Sequence, residues 1–369
     1  MLRVLYISVA TIKRPQSSSA WTRRQINLTR VVYLPYGSDF QHPSNTDITY
    51  YPTYSRSKIT FPFDVMRIAS KLHTQKPFDL IVADDPMGSG LAGYWLKRRF
   101  KIPLLIKCHT QYFGHTAWIF ERPYYPFYYF LARFLLSQTD LIQVGSRSTL
   151  QSLLLLKIPE NKIRICPTPI QTFLFDKDPQ PIDKHFRQRL LFVGRFEPQK
   201  GLFVLLEAMR FMVSKGKKPC LQLVGAGPLL SKLEKKAQDL KIDDLVEFVG
   251  FVPPNSLSSF YQQCDVFVLP SFYEGIPKVL IEAAFCGAPI VTTNVCGNPE
   301  AVIPEKTALL VPPNDPQALA AAINELLENP ERAKIMGIKG REFALEHFNI
   351  EEMRDAIATL WYEAAGKNT

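Results

Sequence analysis

The 369-residue sequence has no apolar run approaching the ~18 charge-free residues of a membrane-spanning helix. Its start, Met1-Leu-Arg-Val-Leu-Tyr-Ile-Ser8, lacks the charged, apolar and cleavage-site sections of a secretory signal and reads as a first strand. A cytoplasmic protein is therefore expected. Cysteine is scarce. The six residues, at 108, 166, 220, 264, 286 and 296, include no close pair at metal-ligand spacing, and most sit in apolar runs. Reduced core thiols are expected rather than disulfides or zinc. Asn27-Leu-Thr29 matches a glycosylation sequon, and without a signal it reads as a chance match. No Gly-x-Gly-x-x-Gly follows the first strand, which argues against an NAD oxidoreductase. No nucleic-acid motif occurs and the basic residues are dispersed, so nucleic acid is not an expected partner.

Apolar residues make up 46% of the chain, enough for real cores, and the length favours two domains. The charge is uneven. Residues 1–188 hold 25 Lys/Arg and 12 Asp/Glu, whereas residues 189–369 hold 19 and 22. A basic half joined to a mildly acidic half implies different partners. The basic half also carries an aromatic run, Trp118-Ile-Phe-Glu-Arg-Pro-Tyr-Tyr-Pro-Phe-Tyr-Tyr-Phe130. It reads either as a half-buried helix with a solvated charged face or as an interfacial patch for anionic lipid or a lipid-linked acceptor.

Short apolar runs alternate with helical segments along both halves. Strands are expected at 2–8, 79–83, 103–108 and 140–144, with helices at 88–100 and 127–138. Residues 26–62 show no clear pattern. Residues 165–188 hold four prolines and little periodicity and read as the linker. Strands at 190–194, 221–225, 246–250 and 264–269 follow, with helices at 201–214 and 228–240. A last helix spans 351–364 and is expected to cross back onto the first domain. Alternating strands and helices predict parallel sheets in both halves, with ligands at the carboxyl ends of the strands.

The chemistry concentrates in the second half. Glu274 and Glu282 are eight residues apart in Pro270-Ser-Phe-Tyr-Glu-Gly-Ile-Pro-Lys-Val-Leu-Ile-Glu-Ala-Ala284, which joins a strand to a helix. Pro277 suits the first helical position and Gly287 the position just past the end. Unpaired N–H groups at such a helix start form an anion site, most naturally for phosphate. Carboxylates beside it suit sugar hydroxyls, so a sugar nucleotide is the expected ligand. Gly194-Arg-Phe-Glu-Pro-Gln-Lys-Gly201 follows another strand, and Arg195 and Lys200 are placed to clamp a diphosphate. Read singly, each has a plain alternative: surface charges for the Arg–Lys loop, an ordinary turn at Gly225, a dipole-complementing carboxylate at Glu274, a solvated helix residue at Glu282.

Gly194–Gly201, Val224-Gly-Ala-Gly-Pro228, Pro270-Ser271, Glu274–Ala284, Cys286-Gly-Ala-Pro-Ile-Val-Thr292 and Gly297-Asn-Pro-Glu300 together resemble the signature of retaining GT-B glycosyltransferases of family four. The likeness runs from 190 to 347. In the first half it rests on 79–86, 102–109 and 140–146. It implies an α/β GT-B fold, two Rossmann-like domains facing across a donor-binding cleft. The expected layout is an acceptor-side domain at 1–170, a linker at 171–188, a nucleotide-sugar domain at 189–347 and a returning helix at 348–369. It also implies a nucleotide-sugar donor, a glycan or lipid-linked acceptor, retained anomeric configuration, and no metal or other cofactor. Carried over, Arg195 and Lys200 hold the donor diphosphate, Glu274 binds the donor sugar, Glu282 the ribose, and the Val279 and Leu280 amides add to the phosphate site. Gly194, Gly225, Gly250, Phe251, Gly275, Ile276 and Pro277 line the donor site. His109 matches a histidine beside the transferred sugar; by itself it reads as a satisfied core histidine.

Two departures stand out. The family's glycine-rich loop after the first strand is Thr11-Ile-Lys-Arg-Pro-Gln-Ser-Ser-Ser-Ala20 here, and the following helix and strand look short. The usual Asn-Gly of the linker is Thr168-Pro169. The competing functions are another GT-B reaction, such as a sugar-nucleotide epimerase or sucrose-type synthase, and a non-catalytic sugar-nucleotide-binding subunit. The basic half adds a further expectation, peripheral attachment to the anionic cytoplasmic face of a membrane.

Overall fold

The computed structural model describes residues 1–9, 20–38, 40, 48–109, 125–167, 169–170, 174–175 and 188–368. The chain divides into two compact units, residues 1–168 with 351–369, and residues 169–350. Most of the expected linker, 171–188, lies outside the described residues.

In the first unit seven strands pair in parallel: β1 (Leu2–Ser8), β2 (Ile26–Val32), β3 (Ile48–Pro52), β4 (Leu80–Ala83), β5 (Leu104–Cys108), β6 (Leu141–Val144) and β7 (Ile163–Ile165). Their order is β3-β2-β1-β4-β5-β6-β7. Among the described residues the helices flanking this sheet in chain order are α1 (Phe61–Gln75), α2 (Gly88–Phe100), α3 (Tyr125–Gln138) and α4 (Arg147–Leu155). Period-two alternation sorts the side chains of β1. Leu5 and Ile7 enter a core with Phe61, Val65, Ala92, Leu96 and Leu135, whereas Leu2, Val4 and Tyr6 enter a second core on the other face. All four residues of β4 are buried, as a central parallel strand covered on both faces requires.

The structure corrects the reading of residues after the first strand. β2 is a full strand that pairs with β1 over seven positions. Asn27, Thr29 and Arg30 break its apolar pattern, yet Ile26, Leu28, Val31 and Val32 are all buried. Tertiary pairing overrides weak local preference here.

The second unit repeats the plan. β8 (Arg189–Val193), β9 (Cys220–Val224), β10 (Val246–Gly250), β11 (Val266–Leu269), β12 (Ile290–Thr293) and β13 (Leu309–Val311) lie in the order β10-β9-β8-β11-β12-β13. Around them are α5 (Leu202–Ser214), α6 (Leu230–Asp239), α7 (Leu257–Gln263), α8 (Lys278–Phe285), α9 (Pro316–Glu328) and α10 (Pro330–His347). α9 shows why such helices start where they do. Pro316 takes the first position, and the Asp315 carboxylate accepts from the Gln317 and Ala318 amides.

The last helix, α11 (Ile350–Ala364), belongs to the first unit. Trp361 stacks on Trp21 with ring centroids 4.8 Å apart. Arg24 bonds Asp355 at 2.7 Å and Glu351 at 2.9 Å. Ile357, Leu360 and Trp361 complete the core on the Leu2–Val4–Tyr6 face. Among the described residues no helix is long and apolar enough to cross a membrane.

Candidate functional site

Strand order reverses between β1 and β4 in the first unit and between β8 and β11 in the second. Open α/β sheets bind ligands off the carboxyl ends of strands at such switch points. Both units place their most unusual polar side chains there.

In the second unit β8 runs into Gly194-Arg-Phe-Glu197 and a single helical turn, Pro198–Lys200, closed by Gly201 at φ +64°. Any Cβ at Gly201 would lie 2.0 Å from the Pro270 carbonyl oxygen. Glycine alone permits both that backbone angle and that approach. The β8 loop is thereby stitched to the end of β11, where the Phe272 amide donates to the Gln199 carbonyl at 2.8 Å. The result is a buried ion pair. Lys200 Nζ lies 2.5 Å from Glu274 Oε1, with the two side chains 12% and 8% exposed. The Ser271 hydroxyl donates to the same oxygen at 2.7 Å.

Gly225, at φ +142° beyond β9, meets the Gly194 carbonyl so closely that a Cβ would lie 1.8 Å from it. The Gly225 amide donates to the Gly250 carbonyl at 2.8 Å, so the ends of β8, β9 and β10 abut. Phe251 is exposed just past β10. Gly275, Ile276 and Pro277 lead into α8. Pro277 is the residue before the helix, at φ −75° and ψ 113°, rather than its first position as expected. The Leu280 amide already donates to the Pro277 carbonyl at 3.1 Å. Of the two amides assigned to phosphate, that of Leu280 is thus engaged within the first turn of α8. Glu282 Oε2 accepts from the Tyr261 hydroxyl at 3.0 Å. Burial and the Glu282 charge push the Tyr261 phenol well above its ordinary pKa, so it stays a donor.

In the first unit Asp84 ends β4. It accepts from the Tyr6 hydroxyl, from Ser8 Oγ at 3.0 Å and from His109 Nε2 at 2.9 Å. Lys107 Nζ is 3.7 Å away and donates to the Tyr6 hydroxyl at 3.2 Å. Burial by itself would raise the Asp84 carboxyl. The His109 bond and charge, the Lys107 charge and the Tyr6 bond outweigh it and hold the group well below the usual carboxylate range. Its neighbour Asp85 is shifted upward by burial, against hydrogen bonds from Ser89 and the Met87 amide. Asp84 thus orders His109 and stays ionised, while Asp85 accepts from the Met87 amide and the Ser89 hydroxyl at the start of α2.

The same organisation is found in known proteins. Residues 176–343 match the model of glycosyl transferases group 1, and residues 18–172 that of Glycosyltransferase Family 4. The uncharacterized glycosyltransferase YqgM of Bacillus subtilis is 30% identical over 281 residues, 75% of this chain and 76% of its own length. This chain is a group 1 glycosyl transferase. A GDP-mannose-dependent alpha-(1-6)-phosphatidylinositol monomannoside mannosyltransferase of Mycolicibacterium smegmatis is 30% identical over 207 residues, 52% of this chain. That match spans 53% of the mannosyltransferase, and the match to a putative colanic acid biosynthesis glycosyltransferase of Salmonella typhimurium spans 44%, so the chain covers about half the length of these curated relatives. Sucrose-phosphate synthase from Thermosynechococcus elongatus superposes with a TM-score of 0.83 at 25% identity, over 98% of this chain and 99% of that one. HepE from Anabaena, crystallised with UDP-glucose, gives 0.79 at 17% identity, over 98% and 100%, and so agrees in fold. The fold is α/β GT-B, with two Rossmann-like domains.

Within this group 1 transferase the structure brings Lys200 and Glu274 together, although the motifs assign one to phosphate and the other to sugar. Arg195 is elsewhere engaged: its side chain is 72% exposed and bonded to Glu197 at 2.8 Å. The two cations expected to share one diphosphate have separate carboxylate partners here. Gly194, Gly225 and Gly250 share one sheet edge. Glu282 is half-buried rather than solvated. His109 is 38% exposed and hydrogen-bonded, not a core histidine. The altered loop at 11–20 falls outside the described residues except for Ala20, and Trp118–Tyr124 of the aromatic run does so too. Four residues received no role from the sequence, Asp84, Tyr6, Ser271 and Tyr261, although 79–86 and Pro270-Ser271 belong to the motifs quoted above. Two carboxylates closing a wholly buried strand, Asp84-Asp85, were the available signal for the first. Tyr261 lies 21 residues from its partner and carried none.

Proposed function

We propose that this glycosyltransferase moves a sugar from a nucleotide-sugar donor to a glycan or lipid-linked acceptor with retention of anomeric configuration. The observation that carries the reading is the buried Lys200–Glu274 pair at the β8/β11 switch point, beside the start of α8. The relative named as GDP-mannose-dependent and the neighbour crystallised with UDP-glucose support a nucleotide-sugar donor without choosing the base.

In this reading Lys200 bonds the donor diphosphate, Arg195 leaves Glu197 to join it, and the Val279 amide adds the field of the α8 start. Glu274 Oε1 is taken by Lys200 and Ser271, leaving Oε2 to accept from a sugar hydroxyl. Glu282 binds the ribose. His109, ordered by Asp84, donates to the transferred sugar. As the glycosidic bond to phosphate breaks, negative charge grows on the departing diphosphate. Each preorganised donor aimed at that charge is worth about 10²–10³ in rate. The acceptor hydroxyl attacks from the face the diphosphate leaves, and its proton passes to a phosphate oxygen. No metal or other cofactor takes part. A cytoplasmic location goes with this reading, since buried thiols such as Cys108, Cys166 and Cys264 suit a reducing compartment.

Thermal shift with UDP-, GDP- and ADP-sugars tests the donor. Ligand at a hundred times Kd stabilises by about 2.7 kcal/mol, which is readily measured. Product anomers read by NMR then test retention. If no nucleotide sugar moves the melting temperature, Lys200–Glu274 is only a structural ion pair and the reading fails.

A further inference from the structure

We infer that Asn298 is a positioning residue for Glu274, acting from the β12 side through Thr293 and Ser271; this rests on the reading of Glu274 as the donor-sugar carboxylate. The motif Gly297-Asn-Pro-Glu300 lies just beyond β12, and Asn298–Glu300 forms a single helical turn. Asn298, Thr292 and Thr293 are all buried. The Asn298 Nδ2 lies 3.0 Å from Thr292 Oγ1, 3.0 Å from the Thr293 carbonyl oxygen and 3.2 Å from Thr293 Oγ1. Neither hydroxyl has a proton to spare. Thr292 Oγ1 donates to the Leu269 carbonyl at 2.8 Å, and Thr293 Oγ1 donates to the Ser271 carbonyl at 2.6 Å. Only an N–H donor satisfies these acceptors, which fixes the orientation of the amide.

The two carbonyls belong to the strand end and loop that carry Glu274. Leu269 closes β11, and Ser271 gives its own hydroxyl to Glu274 Oε1 at 2.7 Å. Gly297 adds a third point of contact. A Cβ there would lie 1.6 Å from the Gly275 carbonyl oxygen, so the two turns meet backbone against backbone. Loop 270–275 is thus held from two sides, by Gln199 and Gly201 of the β8 loop and by Thr292, Thr293 and Gly297 at the end of β12. Asn298 is the node of the second side.

Its main chain is fixed separately. The Asn298 amide donates to the Val295 carbonyl and its carbonyl accepts from the Ala301 amide, both at 3.0 Å. A side-chain change therefore leaves the turn's backbone pairing in place. Asn298 Oδ1 is buried and has no hydrogen-bond partner among the described residues. Such an oxygen lowers stability. The Thr293 carbonyl also accepts from the Val295 amide at 2.9 Å, so an aliphatic side chain at 298 would not orphan it. The fold alone has little need of an amide here. What the amide adds is N–H groups that keep both threonine hydroxyls turned toward the Glu274 loop.

Asn298→Asp keeps the shape and replaces the donor by an acceptor. The threonine hydroxyls then turn to the carboxylate and release Leu269 and Ser271. Diphosphate release from UDP-glucose, GDP-mannose or ADP-glucose, with water as acceptor, gives kcat and KM for the full chain. In Asn298→Asp, kcat should fall about 10²-fold, the cost of a catalytic group misplaced by about 1 Å, with donor KM within about threefold of the parent. Thr293→Val and Thr293→Ser provide a second reading should Asn298→Asp fail to fold. Thr293→Val lacks the hydroxyl that reaches Ser271 and should lose kcat likewise. Thr293→Ser keeps it and should stay within about threefold of the parent, even if the missing methyl lowers its melting temperature. Turnover that follows melting temperature rather than the hydroxyl overturns the inference, as does a kcat near the parent's in Asn298→Asp or Thr293→Val. Glu274→Gln in the same assay separates the two failures. Parental turnover there, or a parent that neither binds nor cleaves any of the three donors, overturns the donor-site reading and this inference with it. An inactive Glu274→Gln beside a fully active Asn298→Asp overturns this inference alone.

Discussion

Removing the Lys200 ammonium separates the structural from the functional role of the buried pair. Lys200→Met keeps most of the side-chain stem and leaves Glu274 Oε1 with the Ser271 hydroxyl. Breaking a buried pair from one side costs about 3–5 kcal/mol, and because Lys200 retains 12% exposure the low end applies. For a unit of this size about 3 kcal/mol lowers the melting temperature by roughly 6–12 °C. The single variant is thus folded but weakened, and its turnover should fall about 10²–10³-fold. Lys200→Met combined with Glu274→Gln removes both charges. No uncompensated charge remains, so stability should return to within about 1 kcal/mol of the parent, while turnover stays lost. Calorimetry and initial rates on the same preparations provide both numbers. A folded Lys200→Met protein within about threefold of parental activity, or a double variant that regains turnover, would refute the catalytic role.

Gly201→Ala should destabilise the second unit and cut turnover together, because φ +64° and the 2.0 Å approach to Pro270 displace the loop that carries Lys200; an unchanged melting temperature in a denaturation scan contradicts this. Asp84 and Asp85 should give opposite pH signatures. Asp84 is shifted down, so its stabilisation is present above the ordinary value of 3.8 and is lost as pH falls through the folded pKa; Asp84→Asn should weaken the first unit at neutral pH and flatten its acid unfolding. Asp85 is shifted up, so its contribution is full below 3.8 and is lost as pH rises; Asp85→Asn should cost least at neutral pH, and urea midpoints across pH check both signs. EDTA should leave sugar transfer unchanged in a timed assay, and loss restored by magnesium or manganese would show a metal-dependent donor site.

The sequence by itself determined what depends on neighbours along the chain. Buried strands such as Leu80–Ala83 are short apolar runs, and helices such as Gly88–Phe100 carry their own periodicity, so both were legible. The loops at 194–201 and 270–277 were legible too, because glycine, proline and charge at fixed spacing mark strand-to-helix turns. Residues 26–32 were not, since polar Asn27, Thr29 and Arg30 are tolerated only once β1 and β3 supply backbone partners on both sides. Tertiary structure alone decided which charges meet. Lys200 and Glu274 are 74 residues apart and Asp84 and Tyr6 are 78 apart. Their encounter follows from strand order and from glycines that let two loops touch. It also decided that the Leu280 amide is engaged and that Trp361 stacks on Trp21. A local pattern records how a segment folds; which segments face one another is set by burial and pairing across the whole sheet, and that is where the chemistry of this protein is assembled.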